Sequence, residues 1–192
     1  MNWIENLLIL VGISLDIFAG MECQGSLVAK IDKKHLTLVC GLIAVWQLAA
    51  LYVGNLLARL LYANNLAKNE RFIGTVIAAV IFFCLGVRLI AKAIKNERVN
   101  ERREENLGFK RFFRMAAVTS IYTLLTGIAF GFLETNLMVI LIMIVCLTIG
   151  VVITGAYTGY RFGFEHKTKA YAGGAILLWI AGFDVVFRYA MM

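Results

Sequence analysis

Six long runs of apolar residues dominate this sequence and limit what it can fold into. They cover residues 7–28, 36–60, 72–91, 115–133, 137–157 and 170–187, and the fourth and fifth runs contain no charged residue. About 20 residues of helix cross the hydrocarbon layer of a membrane, so runs of this length predict transmembrane helices. The runs are continuous rather than alternating, which excludes a closed barrel. We therefore predict an all-α membrane protein with six transmembrane helices.

Basic residues are distributed unevenly between the two sides of the predicted membrane. The 192-residue chain carries a formal charge of +7, and 14 of its 19 Lys and Arg residues fall in the first, third and fifth connections. The positive-inside rule places those connections in the cytoplasm and both termini outside. Membrane topology thus accounts for the basic excess. We expect the lipid bilayer, and no nucleic acid, as a partner.

Two halves of three spans each show weak internal similarity. The segment "SLDIF" (14–18) parallels "SIYTL" (120–124), and "LGVRLI" (85–90) parallels "AGFDVV" (181–186). Two directly joined halves with an odd number of spans have opposite orientations, which predicts an inverted repeat. This arrangement recurs in secondary transporters, with substrate sites near the membrane midplane. The predicted parts are a first three-helix repeat (1–94), a basic cytoplasmic linker (95–114) and a second three-helix repeat (115–192).

The last span of each half carries one charged residue, and the two residues occupy matching places in this repeat. Arg88 lies in the third span and Asp184 in the sixth. Each would be costly alone in lipid, whereas an ion pair largely compensates both charges. We therefore predict that the two side chains lie within salt-bridge distance, either as a structural pair or as part of a gate.

Asp16 lies near the middle of the first apolar run. An ionised side chain at the bilayer centre costs at least about 3 kcal/mol on insertion scales and marks an ion or proton site more often than not. Gly12, Ala19, Gly20 and Cys23 share its helix face, and such small residues allow close helix packing. Asp16 is therefore predicted to point into the bundle, either as a functional carboxylate or as a hydrogen-bonded packing residue. Glu22, one turn inside the same span, can line a vestibule.

Further polar side chains lie within the second and fourth spans. Gln47 can offer its amide oxygen to a cation, or it can bond a neighbouring helix. The fourth span carries hydroxyl groups along one face, and threonine hydroxyls either face a site or bond back to their own helix. The hydroxyl stripe consists of Thr119, Tyr122, Thr123 and Thr126.

The sequence contains none of the short motifs that mark common enzymes. A nucleophile elbow, an HExxH segment, a phosphate loop and a nucleotide fingerprint are all missing from it. We expect a protein that is not an enzyme and has no cofactor. Without a nucleotide-binding domain, any transport would be driven by an ion gradient or be passive.

Several motifs resemble those of the bacterial manganese efflux pump family. "GISLDIFAG" followed by "CQG" is similar to that family's first-helix signature, Ser-x-Asp-Ala-Phe-Ala leading to Gly-Lys-Gly. "TSIYTLLTGIAFGFLETN" falls in register with its fourth-helix Thr-Ser-x-Asp signature. "VWQL", "LGVRLI" and the Gly173–Gly174 pair resemble its second-helix, third-helix and sixth-helix segments. The resemblance spans the chain and implies a six-helix exporter in the bacterial cell membrane, with manganese or another divalent cation as substrate.

The departures from that family concern its acidic residues. The first-helix acid is kept as Asp16, but Tyr122 stands at the fourth-helix acid position. Lys92 stands where an acid usually follows the third-helix motif, and Tyr171 stands at the acid near the start of the sixth helix. Gln24 replaces the Lys of Gly-Lys-Gly. Manganese is a hard cation that prefers carboxylate, carbonyl and water oxygens, so these changes remove much of the charge that a divalent ion needs.

We therefore expect a secondary-active cation exporter that works by alternating access. Asp16 would be the ion or proton site, because burial disfavours the charged form of a carboxyl group and so favours proton exchange. The predicted metal-binding set is Asp16, Gln47, Thr119, Tyr122 and Thr123. Two other functions fit the residues: an exporter of a small organic or amino-acid-like solute, as in the related lysine-exporter superfamily, and a non-transporting membrane scaffold with a degenerate site.

Overall fold

The protein consists of six long α-helices. The computed structural model describes residues 3–27, 33–63, 70–95, 109–133, 135–163 and 165–190. Each helix is long and apolar enough to cross a membrane, which confirms the predicted fold class. The six helices are α1 (Trp3–Ser26), α2 (Lys33–Ala63), α3 (Glu70–Lys95), α4 (Phe109–Phe132), α5 (Leu137–Phe162) and α6 (Lys167–Ala190).

Helix boundaries follow local capping chemistry where the connections are described. Asn136 caps the start of α5, where its side-chain oxygen accepts a hydrogen bond from the backbone N–H of Met138 at 3.2 Å. Gly163 ends α5 with a φ of 71° and donates its N–H to the carbonyl of Gly159. Glycine adopts this left-handed conformation without the steric cost that a Cβ imposes. Both caps set up a short connection and a reversal of chain direction.

The helix pairs that pack closely form a symmetric set. The pair α1–α5 has the equivalent pair α2–α4, and the pair α1–α6 has the equivalent pair α3–α4. The pairs α3–α6, α2–α5 and α1–α4 are each their own equivalent. Exchanging the first three helices for the last three leaves this set unchanged. That is the pattern produced by a twofold relation between the halves, as the predicted inverted repeat requires.

Equivalent positions of the two halves meet along the contacts between α2 and α5 and between α3 and α6. The Thr148 hydroxyl lies 3.4 Å from the Gln47 side-chain oxygen, and these residues are 101 positions apart. The same spacing relates Gly54 and Gly155, at the close approaches of α2 to α4 and of α5 to α1. The Trp179 indole N–H donates to the carbonyl of Phe83, 96 positions earlier, at 3.4 Å. The second spacing is also that of the "LGVRLI" and "AGFDVV" segments. In an inverted repeat, the residues that meet their own equivalents are those on the twofold axis.

Glycines allow close helix approaches at equivalent points of the two halves. A Cβ on Gly25 would clash with the backbone of Ala156 on α5, and a Cβ on Gly131 would clash with the Ala58 side chain on α2. Gly25 and Gly131 are 106 residues apart, the same spacing that relates Asp16 to Tyr122. Small residues at helix crossings let the backbones approach and gain dispersion contacts that lipid does not supply.

The apolar interior forms two clusters along α1. The first includes Ile13 together with Phe82 and Phe130, whose rings meet edge to face at 6.4 Å. The second includes Ile17 and Met21. Large apolar side chains also cover much of the outer surface, as expected for a lipid-facing bundle. Asp16 lies along α1 between Ile13 of the first cluster and Ile17 of the second.

Candidate functional site

The small residues around Asp16 pack α1 against its neighbours and place the carboxyl group inside the bundle. A Cβ on Gly12 would lie 3.1 Å from the Leu178 side chain of α6, and one on Gly20 would press on the Met115 sulfur of α4 at 2.7 Å. Asp16 itself is only 3% exposed. The predicted inward orientation is confirmed, and the carboxylate therefore needs a partner within the protein.

That partner is Lys92, near the end of α3. Its ammonium group donates to Asp16 Oδ1 with an Nζ–Oδ1 distance of 2.7 Å, and the Lys92 side chain is 29% exposed. In the described part of the chain, α1 and α3 are not among the helix pairs that pack closely. The ion pair therefore bridges two helices that have little other contact. A charge-assisted hydrogen bond of this length is among the stronger polar contacts in proteins.

Two tyrosine rings surround the same ammonium group. Lys92 Nζ lies 4.5 Å from the centroid of the Tyr122 ring on α4 and 5.6 Å from that of Tyr171 on α6. The guanidinium group of Arg88, one helical turn earlier on α3, lies 4.9 Å from the Tyr122 centroid. Aromatic faces attract cations at these distances. We call the set of Asp16, Lys92, Tyr122 and Tyr171 the ammonium cage.

Two polar atoms of the ammonium cage have no hydrogen-bond partner among the described residues. Asp16 Oδ2 and the Tyr122 hydroxyl are both buried and unpaired. Tyr122 is only 2% exposed. A buried polar atom without a partner is costly, and in native proteins it often marks a place where a ligand or water binds. The cage thus has hydrogen-bonding capacity, above all at Asp16 Oδ2, that Lys92 does not use.

The other residues of the predicted metal-binding set are buried but engaged elsewhere. The hydroxyl groups of Thr119 and Thr123 donate to carbonyls of their own helix, those of Met115 and Thr119, at 3.0 and 3.4 Å. Gln47 meets Thr148 across the repeat axis. Only Asp16 and Tyr122 of the predicted set come together. For the two threonines, the alternative of bonding back to their own helix is the one seen in the structure.

The predicted ion pair between Arg88 and Asp184 is wrong. Helices α3 and α6 run antiparallel and cross where Phe83 meets Trp179. Arg88 lies five residues beyond the crossing on one side and Asp184 five residues beyond it on the other. At 1.5 Å per residue, this separates them by roughly 15 Å along the bundle. Matching positions of an inverted repeat lie at mirrored depths, so they meet only on the axis.

Glu22 does not line a vestibule, and that expectation is also wrong. The residue is 0% exposed, and its Oε1 accepts the backbone N–H of His166, before α6, at 2.9 Å. The His166 side-chain Nδ1 lies 3.6 Å from the same oxygen. This contact ties the end of α1 to the start of α6, at the same end of the bundle as Lys92. Glu22 therefore fixes the helix ends around the ammonium cage.

Lys92 is the site residue that the sequence interpretation missed. The third apolar run ends at residue 91, which puts Lys92 among the basic residues of the following connection. The structure continues α3 to Lys95 and directs the side chain inward to Asp16. The one signal in the sequence was that Lys92 follows the third-helix motif at a position where the resembled family usually has an acid.

Comparison with known proteins agrees with this architecture. A family profile described as "Putative manganese efflux pump" matches residues 30–186. The chain belongs to the manganese efflux pump family. It is 27% identical to a relative of that description from Acetivibrio thermocellus, over 98% of this chain and 92% of the relative. A relative from Methanosarcina acetivorans is 25% identical over 95% of each chain. No solved structure matches the chain.

The three residues that the motif resemblance places at acidic positions of the family come together in the structure. Lys92, Tyr122 and Tyr171 lie on three different helices, and all three contribute to the ammonium cage around Asp16. Within the described ranges, no group of three or more His, Cys, Asp or Glu side chains gathers to hold a metal ion. A single carboxylate already paired with a lysine does not fit a divalent metal substrate.

Proposed function

We propose that this protein is a secondary-active exporter of a cation, with Asp16 as the exchanging carboxylate. The observation that carries the proposal is the ion pair between the buried Asp16 and the partly exposed Lys92, within a bundle of six apolar helices. The Lys92 ammonium group occupies a position at which an external cation can bind once the lysine side chain moves away. Asp16 would exchange that cation for a proton as the bundle opens to alternate sides of the membrane.

Family membership and symmetric packing support a transporter rather than a scaffold. A buried ion pair contributes little net stability compared with apolar side chains of the same volume. A scaffold would therefore gain nothing from keeping Asp16 and Lys92 in a membrane interior. The symmetric set of helix pairs also suits alternating access, because the two halves can exchange conformations around a central site.

Asp16→Asn tests this proposal. The substitution keeps the shape of the side chain and removes its charge and its ability to titrate. The protein should still insert, because a neutral amide is less costly to bury than a carboxylate. Transport of cations by everted membrane vesicles should fall to the level of vesicles that lack the protein. The assay would follow sodium, potassium, n-propylammonium and manganese separately.

Tyr157→Phe provides a matched control, because Tyr157 is an exposed residue of α5 at the outer surface. It should leave transport unchanged at the same expression level. Full transport by Asp16→Asn would exclude Asp16 as the exchanging group. If the wild-type protein moved none of the four cations, the exporter assignment itself would be lost.

A further inference from the structure

We propose that the ammonium cage binds a monovalent ammonium-type cation, and that Lys92 is a tethered stand-in for this ligand. The inference deepens the proposed function, because it names the substrate class of the same site. It rests on the chemical nature of the group that the cage now holds. An ammonium group is bound there by one carboxylate and two aromatic faces, a combination typical of organic ammonium recognition.

The charge of the cage favours a monovalent ligand. Asp16 is its only carboxylate, and a ligand with one positive charge replaces the charge of Lys92 one for one. A divalent ion would leave one excess positive charge in a buried site, beside the guanidinium group of Arg88 on the same Tyr122 ring. Uncompensated charge of this kind is costly away from water. Tyr122 and Tyr171 add attraction for a cation without adding negative charge.

The unpaired atoms of the cage favour an ammonium group over a bare monovalent metal ion. Lys92 bonds Asp16 Oδ1, while Oδ2 and the Tyr122 hydroxyl have no partner among the described residues. A free primary ammonium carries three N–H donors and is not restrained by a helix. It can turn to donate to both carboxylate oxygens and to the hydroxyl group. In this structure the Lys92 ammonium group makes its carboxylate hydrogen bond to Oδ1 alone.

Lys92 can also leave the cage. Its side chain is 29% exposed, and α3 ends one turn later, at Lys95. A long side chain near a helix end can extend to the membrane surface and keep its charge in water. The ligand and Lys92 would therefore compete for Asp16, with the lysine turning outward when the ligand binds.

Chemical rescue of Lys92→Ala tests the ligand class directly. The substitution removes the side chain beyond Cβ, and n-propylammonium carries the same heavy atoms as the part removed. Thermal unfolding of the purified variant in detergent would be followed at constant ionic strength. The Tm should rise with the logarithm of n-propylammonium concentration, as for a ligand that binds only the folded state. Tetramethylammonium, which has no N–H donor, should give a smaller rise, and manganese should give less than n-propylammonium.

The double variant Asp16→Asn with Lys92→Ala is the matched control. It has the same space but no carboxylate, so n-propylammonium should not change its Tm. Equal rescue of both variants, no rescue of Lys92→Ala, or stronger rescue by manganese would each overturn the proposal. If Asp16→Asn abolishes transport while rescue fails, only the ligand class is wrong. If rescue succeeds but the wild type transports no cation, the exporter function is wrong and the ligand class stands.

A second measurement uses the wild-type protein and does not depend on the folding of a variant. Nuclear magnetic resonance of ¹⁵N-labelled lysine ammonium groups would follow Lys92, assigned by comparison with Lys92→Met. Adding n-propylammonium should shift its signal toward that of a solvent-exposed lysine, and tetramethylammonium at equal ionic strength should shift it less. An unchanged Lys92 signal at saturating n-propylammonium would contradict displacement.

Discussion

The two halves of this protein share their packing but not their chemistry. Gly25 and Gly131 make equivalent close contacts, and Gln47 meets its own equivalent, Thr148. In contrast, the equivalent of Asp16 is Tyr122, so only the first half supplies a carboxylate at this depth. Alternating access requires two halves that can exchange conformations, whereas ion exchange needs only one carboxylate. The helix packing is similar in the two halves, whereas the carboxylate of the site comes from the first half.

The largest effect is expected from a substitution that breaks the ion pair of the first half. Lys92→Met leaves the Asp16 carboxylate buried without a counter-charge. The free energy of unfolding in detergent should fall by an amount near the lower end of roughly 3–5 kcal/mol, because Lys92 is partly exposed. Asp184→Asn, at an exposed position of the second half, should change it by less than about 0.5 kcal/mol.

The double variant Asp16→Leu with Lys92→Met completes this comparison. It removes both charges, so it should be more stable than Lys92→Met alone. The measurement is denaturant unfolding of the wild type, Asp16→Leu, Lys92→Met and the double variant, and additive losses in this cycle would show that the pair is not energetically coupled.

The next prediction restores acidic residues to the cage. Tyr122→Asp with Lys92→Glu gives three carboxylates, from α1, α3 and α4, around the position now held by the ammonium group. Oxygen ligands with negative charge suit manganese. Its affinity, measured by calorimetry, should rise at least about 10-fold over the wild type, or about 1.4 kcal/mol. Thr119→Asp with Lys92→Glu, which places the added acid at a residue outside the cage contacts, should gain less.

The smallest effects test whether the two halves are truly equivalent in packing. Gly25→Ala and Gly131→Ala each place a Cβ against a neighbouring helix, so both should destabilise the fold, by about 1–3 kcal/mol. Gly41→Ala and Gly150→Ala add a Cβ where no other atom lies within 4 Å. They should be neutral or stabilising by up to about 1 kcal/mol, as expected for replacing a helical glycine.

Unfolding of these four variants by denaturant would distinguish the cases. A loss in Gly25→Ala without a matching loss in Gly131→Ala would mean that the packing is one-sided as well. Losses in Gly41→Ala or Gly150→Ala would show that these positions face another surface in the assembled protein.

The sequence was sufficient for the architecture because membrane-spanning segments are determined by local composition. Each predicted run lies within one helix to within two residues over the described part of the chain, since a continuous apolar segment in lipid must satisfy its backbone hydrogen bonds internally. Helix ends were less accurate. α3 continues to Lys95, four residues past the predicted span, because long basic side chains near a helix end can be accommodated without ending the helix.

The site could be predicted only in part, and the wrong prediction that Arg88 pairs with Asp184 shows why. Sequence similarity between the halves identifies equivalent residues, but it does not give their depth relative to the repeat axis. The same limit applies to Gln47, which was expected at the site and lies against Thr148 instead. Contacts between helices depend on crossing points, and those are set by the packing of the whole bundle.

By itself, the sequence determined that this chain forms six membrane helices, belongs to a family with a first-helix acid, and buries Asp16. These properties follow from local features: apolar length, a short motif and a stripe of small residues on one helix face. Only the tertiary structure decided what Asp16 meets. Lys92, Tyr122 and Tyr171 are far apart in sequence and lie on three helices, and they converge because α3 packs against both α4 and α6, which in turn pack against α1. Which group faces a buried charge therefore depends on how the helices pack together.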